Sequence, residues 1–143
     1  MIAVDSNILV YAHRRDSAWH KPAKDCLVRL AEAKAPWLIP WPCIHEFLAI
    51  VTHPRIYNPP SNLSAAVQQV DNWLASPSLV LGGESPQHWQ TLRNLTLQAR
   101  VSGPLFHDAR VAAICLDHDV ELLWSADRDF SRFARLKVEN PLT

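Results

Sequence analysis

Four short runs dominated by apolar residues, Ile2-Ala3-Val4, Trp37-Leu38-Ile39, Leu79-Val80-Leu81 and Glu121 to Trp124, punctuate the chain, with much longer stretches between them. In those longer stretches apolar residues recur every three or four positions, the repeat of a helix with one buried face. Short apolar runs alternating with helices, and without internal repeats, leave few architectures open. The one expected is an α/β fold, a three-layer α/β/α domain with a mainly parallel central sheet. Leu136-Lys137-Val138 reads as an edge strand beside it.

Helices are expected from Ile8 to about Arg14, and from Pro22 with the stripe Cys26, Leu27, Leu30 and Ala31. Others are expected from Pro42 with Ile44, Phe47, Leu48 and Val51, over Leu63 to Ala75, from Ser85-Pro86 through Leu97, and over Ala109 to Leu116. Proline suits a first helical turn, where its missing N–H leaves no bond unmade. Eleven prolines against three glycines fit helices with sharply marked ends. Pro54 to Asn62 is a loop, with Pro59-Pro60 at its centre. No linker composition divides the 143 residues, so 1–143 is read as one domain. A chain of that length can bury about two-thirds of its unfolded surface.

No apolar stretch is long enough to span a bilayer, and the N-terminus has neither a basic leader nor a cleavage site. Cys26, Cys43 and Cys115 are odd in number and widely spaced in apolar helical contexts, which predicts buried thiols in a reducing cytoplasm. No membrane partner is expected.

The acidic residues stand where chemistry in such folds is found, beyond the carboxyl ends of the strands. Asp5 follows the first strand directly, and Asp127 and Asp129 follow the fourth across a two-residue turn in Ser125-Ala126-Asp127-Arg128-Asp129-Phe130. Glu46 falls in the early turns of the helix after the second strand, and Asp108 at the start of the helix after Gly103-Pro104. Taken singly, Asp5 and Asp108 are explained as helix caps, worth about 1 kcal/mol each, and Asp127 or Asp129 as turn residues. Glu46 resists that explanation, because Ile44, Phe47 and Leu48 around it predict a buried helix, and an unpaired buried carboxylate is costly. Carboxylates converging on one sheet edge repel one another unless a cation lies among them. Oxygen-only ligands favour Mg²⁺ or Mn²⁺ over zinc. Such an ion can activate water for attack on a phosphodiester with no side-chain nucleophile.

A formal net charge of zero looks unfavourable for a nucleic-acid partner. Set five carboxylates aside in a metal site, however, and fourteen basic groups face nine acidic ones, +5 over the rest of the surface. Ten of the fourteen are arginine, suited to bidentate phosphate contacts. Neutrality therefore does not exclude RNA. His45 and His107 each precede a candidate carboxylate, but adjacent helical residues point about 100° apart, so both are expected to pack or support, with His107 open to substrate contact. No zinc spacing, G-x-S-x-G elbow or P-loop occurs. Most of the six tryptophans should be core; Trp19 and Trp41, flanked by polar residues or proline, suit a partner surface.

These residues together resemble the PIN-domain nucleases, and within them the VapC-like toxins of toxin–antitoxin systems. The resemblance lies in Ile2-Ala3-Val4-Asp5-Ser6-Asn7-Ile8-Leu9-Val10-Tyr11, in Glu46 within Pro42-Cys43-Ile44-His45-Glu46-Phe47, in His107-Asp108-Ala109-Arg110, and in Ser125 to Phe130. It implies a Mg²⁺- or Mn²⁺-dependent endoribonuclease acting on RNA, inhibited by a small cognate antitoxin and usually a homodimer. By position it implies Asp5 and Asp108 as metal ligands, Glu46 and Asp127 completing an acidic quartet, and Asp129 as an accessory ligand. Asn7 orients the first aspartate, and Ser125 keeps the hydroxyl where the family often has threonine. Arg14, Arg110 and Arg128 are candidate RNA contacts. Two other readings compete: a non-catalytic PIN-like module that binds RNA or protein, which predicts an eroded acidic set, and a phosphatase using Asp5 as nucleophile. The second would need another aspartate at position 7, where the chain has Asn7.

Overall fold

The central apolar runs form strands because their residues have somewhere dry to point on both sides. The computed structural model describes residues Met1–Thr143. Strand β1 (Ile2–Val4) leads into helices α1 (Ser6–His13) and α2 (His20–Glu32), then β2 (Trp37–Pro40) and helices α3 (Trp41–Val51) and α4 (Leu63–Leu74). Strand β3 (Leu79–Gly82) is followed by α5 (His88–Ala99), α6 (Leu105–Asp117), β4 (Leu122–Trp124), a short 3₁₀ turn (Arg128–Arg132) and β5 (Val138–Glu139).

The sheet order is β3-β2-β1-β4-β5, and every pairing is parallel, with Ile2 opposite both Trp37 and Leu122. All four residues of β2 are buried, as are Ala3 and Val4, whereas Val80 on the edge strand β3 is exposed. From β1 the chain builds outward through β2 to β3, then returns to the other side of β1 for β4. Right-handed crossovers in opposite directions place their helices on opposite faces of a sheet. The helix contacts agree: α1 packs on α2 and α3, and α3 on α4, while α5 packs on α6. The expected three layers result. The reversal leaves a crevice between the carboxyl ends of β1 and β4, the place where open α/β sheets bind ligands.

Several boundaries differ from the sequence reading. Helix α2 starts at His20, so Pro22 lies inside its first turn, and β5 is the two residues Val138–Glu139. Helix α6 starts at Leu105, four residues before the expected Ala109. Gly103, with φ of 59°, turns the chain into it. Asp108 consequently lies within the first turn of a formed helix and caps nothing.

Gly82, at the end of β3, lies close against Leu38 of β2 and Ile114 of α6. A methyl group there would sit 3.0 Å from one Leu38 Cδ and 3.2 Å from Ile114 Cγ2, both on fully buried side chains. Gly82→Ala should therefore destabilise the fold by about 1–3 kcal/mol through overpacking, read as a lowered urea midpoint; a midpoint at or above the parent's would show that the contact relaxes freely.

Candidate active site

Asp5 is the first residue after β1 and the N-cap of α1, so it does cap a helix, as its sequence context allows. Its Oδ1 accepts from the Ser6 amide at 2.7 Å and from the Cys43 thiol at 3.5 Å. Its Oδ2 accepts from the Ser125 hydroxyl at 2.7 Å and the Asn7 amide at 3.3 Å. A capping carboxylate needs one such bond; this one, 6% exposed, is held at both oxygens by residues from α1, α3 and the loop after β4. Burial raises its pKa, opposed by the bonds from Ser125 and the Ser6 amide, with the Glu46 charge adding to the rise.

Asn7 and Ser125 form the brace between the two strand ends. Asn7 Nδ2 donates to Ser125 Oγ at 3.2 Å and Asn7 Oδ1 accepts from the Ala126 amide at 3.1 Å. Ser125 Oγ accepts from the Asp127 amide at 3.0 Å while donating to Asp5. The loop after β4 is thereby registered on β1. Asp127 then caps the 3₁₀ turn, its Oδ1 accepting from the Asp129 amide at 2.9 Å.

Carboxylate oxygens of Asp108, Asp127 and Asp129 all lie within 4.8 Å of one another. Asp5 and Glu46 are joined through Ser6, whose amide donates to Asp5 and whose Oγ donates to Glu46 Oε1 at 2.7 Å. The five acidic residues thus form a trio and a pair rather than a single cluster. Asp5, Asn7, Glu46, Asp108 and Asp127 line one open cavity of about 210 Å³, with His107 at its wall; Asp129 is exposed beside it and Ser125 lies behind Asp5. The Asp108 carboxyl is pushed up to about 6, first by burial and then by the charges of Asp127, Asp5, Asp129 and Glu46. The site holds more negative charge than it can stabilise unaided. An all-oxygen donor set under such repulsion fits a hard divalent cation.

Glu46 differs from expectation. Its helix buries Cys43, Ile44, Phe47 and Val51, but Glu46 itself is exposed at the cavity. The helical step turns it away from its apolar neighbours, so desolvation is not what marks it. The three arginines also separate. Arg14 has only 11% of its side chain exposed and is bound to Asp16, Ser61 Oγ and the Pro59 carbonyl, which leaves it no fork for phosphate. Arg110 pairs with Glu84 at the surface. Arg128 is exposed with no intramolecular partner, beside a neighbouring cavity that shares Asp127. His45 lies outside the acidic cavity, in an adjoining one bounded by Glu46, His107 and Arg110.

Sequence reading missed Ser6, Cys43 and Tyr57. Ser6 is one short polar residue at a helix start, and only the proximity of α3 gives its hydroxyl a second carboxylate to hold. All three cysteines are buried and unpaired, as expected. Trp37 and Trp73 are core; Trp19 and Trp41 are exposed as expected, but Trp89, 70% exposed, is more so.

Comparison with known proteins agrees with this geometry. The PIN domain family pattern matches residues 2–136. Ribonuclease VapC43 of Mycobacterium tuberculosis is 37% identical over 142 residues, 99% of this chain and 96% of that protein. Ribonuclease VapC31 of the same organism is 35% identical over 141 residues, 99% of both. Among solved structures, VapBC2 from Rickettsia felis, bound to a promoter DNA fragment, superposes with a TM-score of 0.72 at 19% identity, covering 98% of both chains. The M. tuberculosis toxin VapC20, which cleaves the sarcin–ricin loop, superposes at 0.68 and 15% identity, covering 92% of this chain and 93% of that one. With strand order, acidic edge and full-length similarity in accord, this chain belongs to the PIN domain family, among the VapC ribonucleases.

Proposed function

We propose that the chain is an endoribonuclease that hydrolyses RNA phosphodiester bonds with Mg²⁺ or Mn²⁺, and that it is the toxin of a toxin–antitoxin pair. The observation that carries this is the gathering of Asp5, Glu46, Asp108 and Asp127 around one cavity at the sheet's switch point, with Asp129 within 4.8 Å of Asp108 and Asp127. Asp5, Asp108 and Asp127 would hold the cation, with Glu46 and Asp129 beside them. When bound, a divalent ion supplies charge stabilisation at the phosphoryl oxygens and a lowered pKa for attacking water. The protein supplies the rest. Ser125, Asn7 and the Ser6 amide fix Asp5 in one orientation, so that no reorganisation is needed as charge develops. Glu46 keeps Oε2 free of intramolecular bonds while Ser6 holds Oε1, which places a proton acceptor at the cavity wall. Arg128, exposed and lining the neighbouring cavity that shares Asp127, would meet the strand's phosphates.

The reading carries a small cognate antitoxin and a second copy of the chain as partners, in the cytoplasm. Leu63, Val67 and Leu74 on α4, and Trp89 and Leu97 on α5, supply exposed apolar surface for them. No helix is long and apolar enough to cross a membrane.

Purified protein incubated with cellular RNA should cut it in Mg²⁺ and stop on addition of chelator, with cut sites read by 5′-end mapping. Cleavage that persists in chelator would overturn the metal-dependent reading.

Metal should also stabilise the fold in a pH-dependent way. The Asp108 carboxyl titrates above its unfolded value, so the stability its proton confers is present below about pH 4 and lost as pH rises through about 6. Mg²⁺ needs the deprotonated carboxylate. The Mg²⁺-induced rise in melting temperature should therefore be larger at about pH 7.5 than at about pH 5. An equal rise at both would place the ion elsewhere.

A further inference from the structure

The acidic cavity has a second wall that hydrolysis of a phosphodiester does not use. Besides the carboxylates it is lined by Tyr57, Tyr11 and Ile50, all packed against the hydrophobic core. A cation and a phosphate are satisfied by the carboxylate side alone. The aromatic side calls for a flat, uncharged group attached to that phosphate, and in RNA this is the base.

Tyr57 comes from the loop between α3 and α4, and that loop is fastened. The Ser61 amide donates to the Val51 carbonyl at 2.8 Å and the Tyr57 amide to the His53 carbonyl at 3.1 Å. Arg14 is the clasp. Its Nη1 donates to Ser61 Oγ at 3.2 Å and its Nη2 to the Pro59 carbonyl at 3.0 Å, while Asp16 binds Nε and Nη2 at 2.9 and 2.6 Å. So held, its guanidinium carbon lies 4.2 Å from the centre of the Tyr57 ring. A cation over an aromatic face is attractive and fixes the ring's orientation. A ring ordered before the ligand arrives loses no rotamer freedom on binding.

Resting on the ribonuclease reading above, we propose that Tyr57 is the stacking platform for an unpaired nucleobase next to the scissile phosphate, with Arg14 as its positioning residue. The substrate is then single-stranded at the cut, because a base in a duplex has both faces already stacked. Stacking is sequence-tolerant, since every base has a π-face. Tyr57 thus contributes affinity whatever the base, and leaves sequence choice to other contacts.

The test titrates fluorescein-labelled oligo(A), alone and annealed to oligo(U), with the full chain in chelator, so that the RNA is bound without being cut, followed by anisotropy. Cleavage of cellular RNA is assayed alongside. The single strand should bind more tightly than the duplex. Tyr57→Leu should weaken single-strand binding roughly tenfold, Tyr57→Phe should bind as the parent does, and Arg14→Ala should lose part of the affinity, which Arg14→Lys partly restores. The Mg²⁺-induced rise in melting temperature should be the same in all four variants, which separates a lost platform from a damaged fold or metal site. Parental binding by Tyr57→Leu, equal losses in the Phe and Leu variants, or duplex bound as tightly as single strand would each overturn the assignment. Parental RNA binding by Tyr57→Leu with loss of a co-purifying small protein would give the ring to a protein partner instead. If the unvaried chain cuts RNA, those results sink the stacking assignment alone; if it cuts none, the ribonuclease reading fails with it.

Discussion

Asp108→Asn should lower RNA cleavage by about a thousandfold or more, the scale of losing one key electrostatic stabiliser, while making the metal-free protein more stable at neutral pH. The two effects share one cause. Asp108 is half-buried beside four other carboxylates, and its carboxyl is pushed up to about 6, so its charge is disfavoured until a cation arrives. An amide of the same shape removes that repulsion and the cation's ligand together. Asp5→Asn should be as inactive but less informative, because four donors converge on the Asp5 carboxylate and an amide group there would face one of them with a donor of its own. Asp129→Asn, on the exposed side of the trio, should lose about 10- to 100-fold, as groups that support a metal ligand do. Single-turnover cleavage in Mg²⁺ and melting curves in chelator, measured on the same preparations, check both halves. A folded Asp108→Asn chain that cuts RNA at the parental rate would refute the carboxylate mechanism.

The largest stability effect is expected at Phe47. Its ring is fully buried on α3 and packs edge-on against Trp73 of α4 at 4.7 Å and His13 of α1 at 5.3 Å. Phe47→Ala should cost about 3–5 kcal/mol, since the surrounding rings cannot close over the space. Urea unfolding followed by tryptophan fluorescence reads the change, and a loss under about 1 kcal/mol would mean the core collapses more readily than close packing allows. In a partly folded variant the site should suffer as well. Helix α3 carries Glu46 and the Cys43 thiol that faces Asp5, so loosening α3 frees one wall of the cavity.

The positions of Asp5, Asp108 and Asp127 were legible because strand ends and helix starts are local features. Each lies within a few residues of a recognisable run, and the parallel topology that such alternation implies sends those ends to one edge. The environments of these residues were less legible. Glu46 was expected to be buried because its sequence neighbours are, yet in a helix the next residue points about 100° away. Arg14 was read as free for phosphate, but Asp16 takes it from two residues along, and Pro59 and Ser61 from beyond an entire βα unit. No periodicity announces such a meeting. Ser6 and Tyr57 were missed for the same reason, since a hydroxyl or ring acquires its role only once α3 and its loop are in place.

The order of the strands in space has a consequence for how the acidic edge comes into being during synthesis. Strand β1 is the first made and lies at the centre of the sheet, but one of its two neighbours, β4, is among the last. Asp5 is made early and waits for Ser125, 120 positions later, before its second oxygen gains its shorter bond, and for Asp127 and Asp129 before the acidic set is complete. Pairings so distant in sequence form late and slowly. A nascent or prematurely terminated chain that stops short of Ser125 holds Asp5, Glu46 and Asp108 but neither Asp127 and Asp129 nor the Ser125 half of the brace, so the acidic edge is completed only once the loop after β4 has been made.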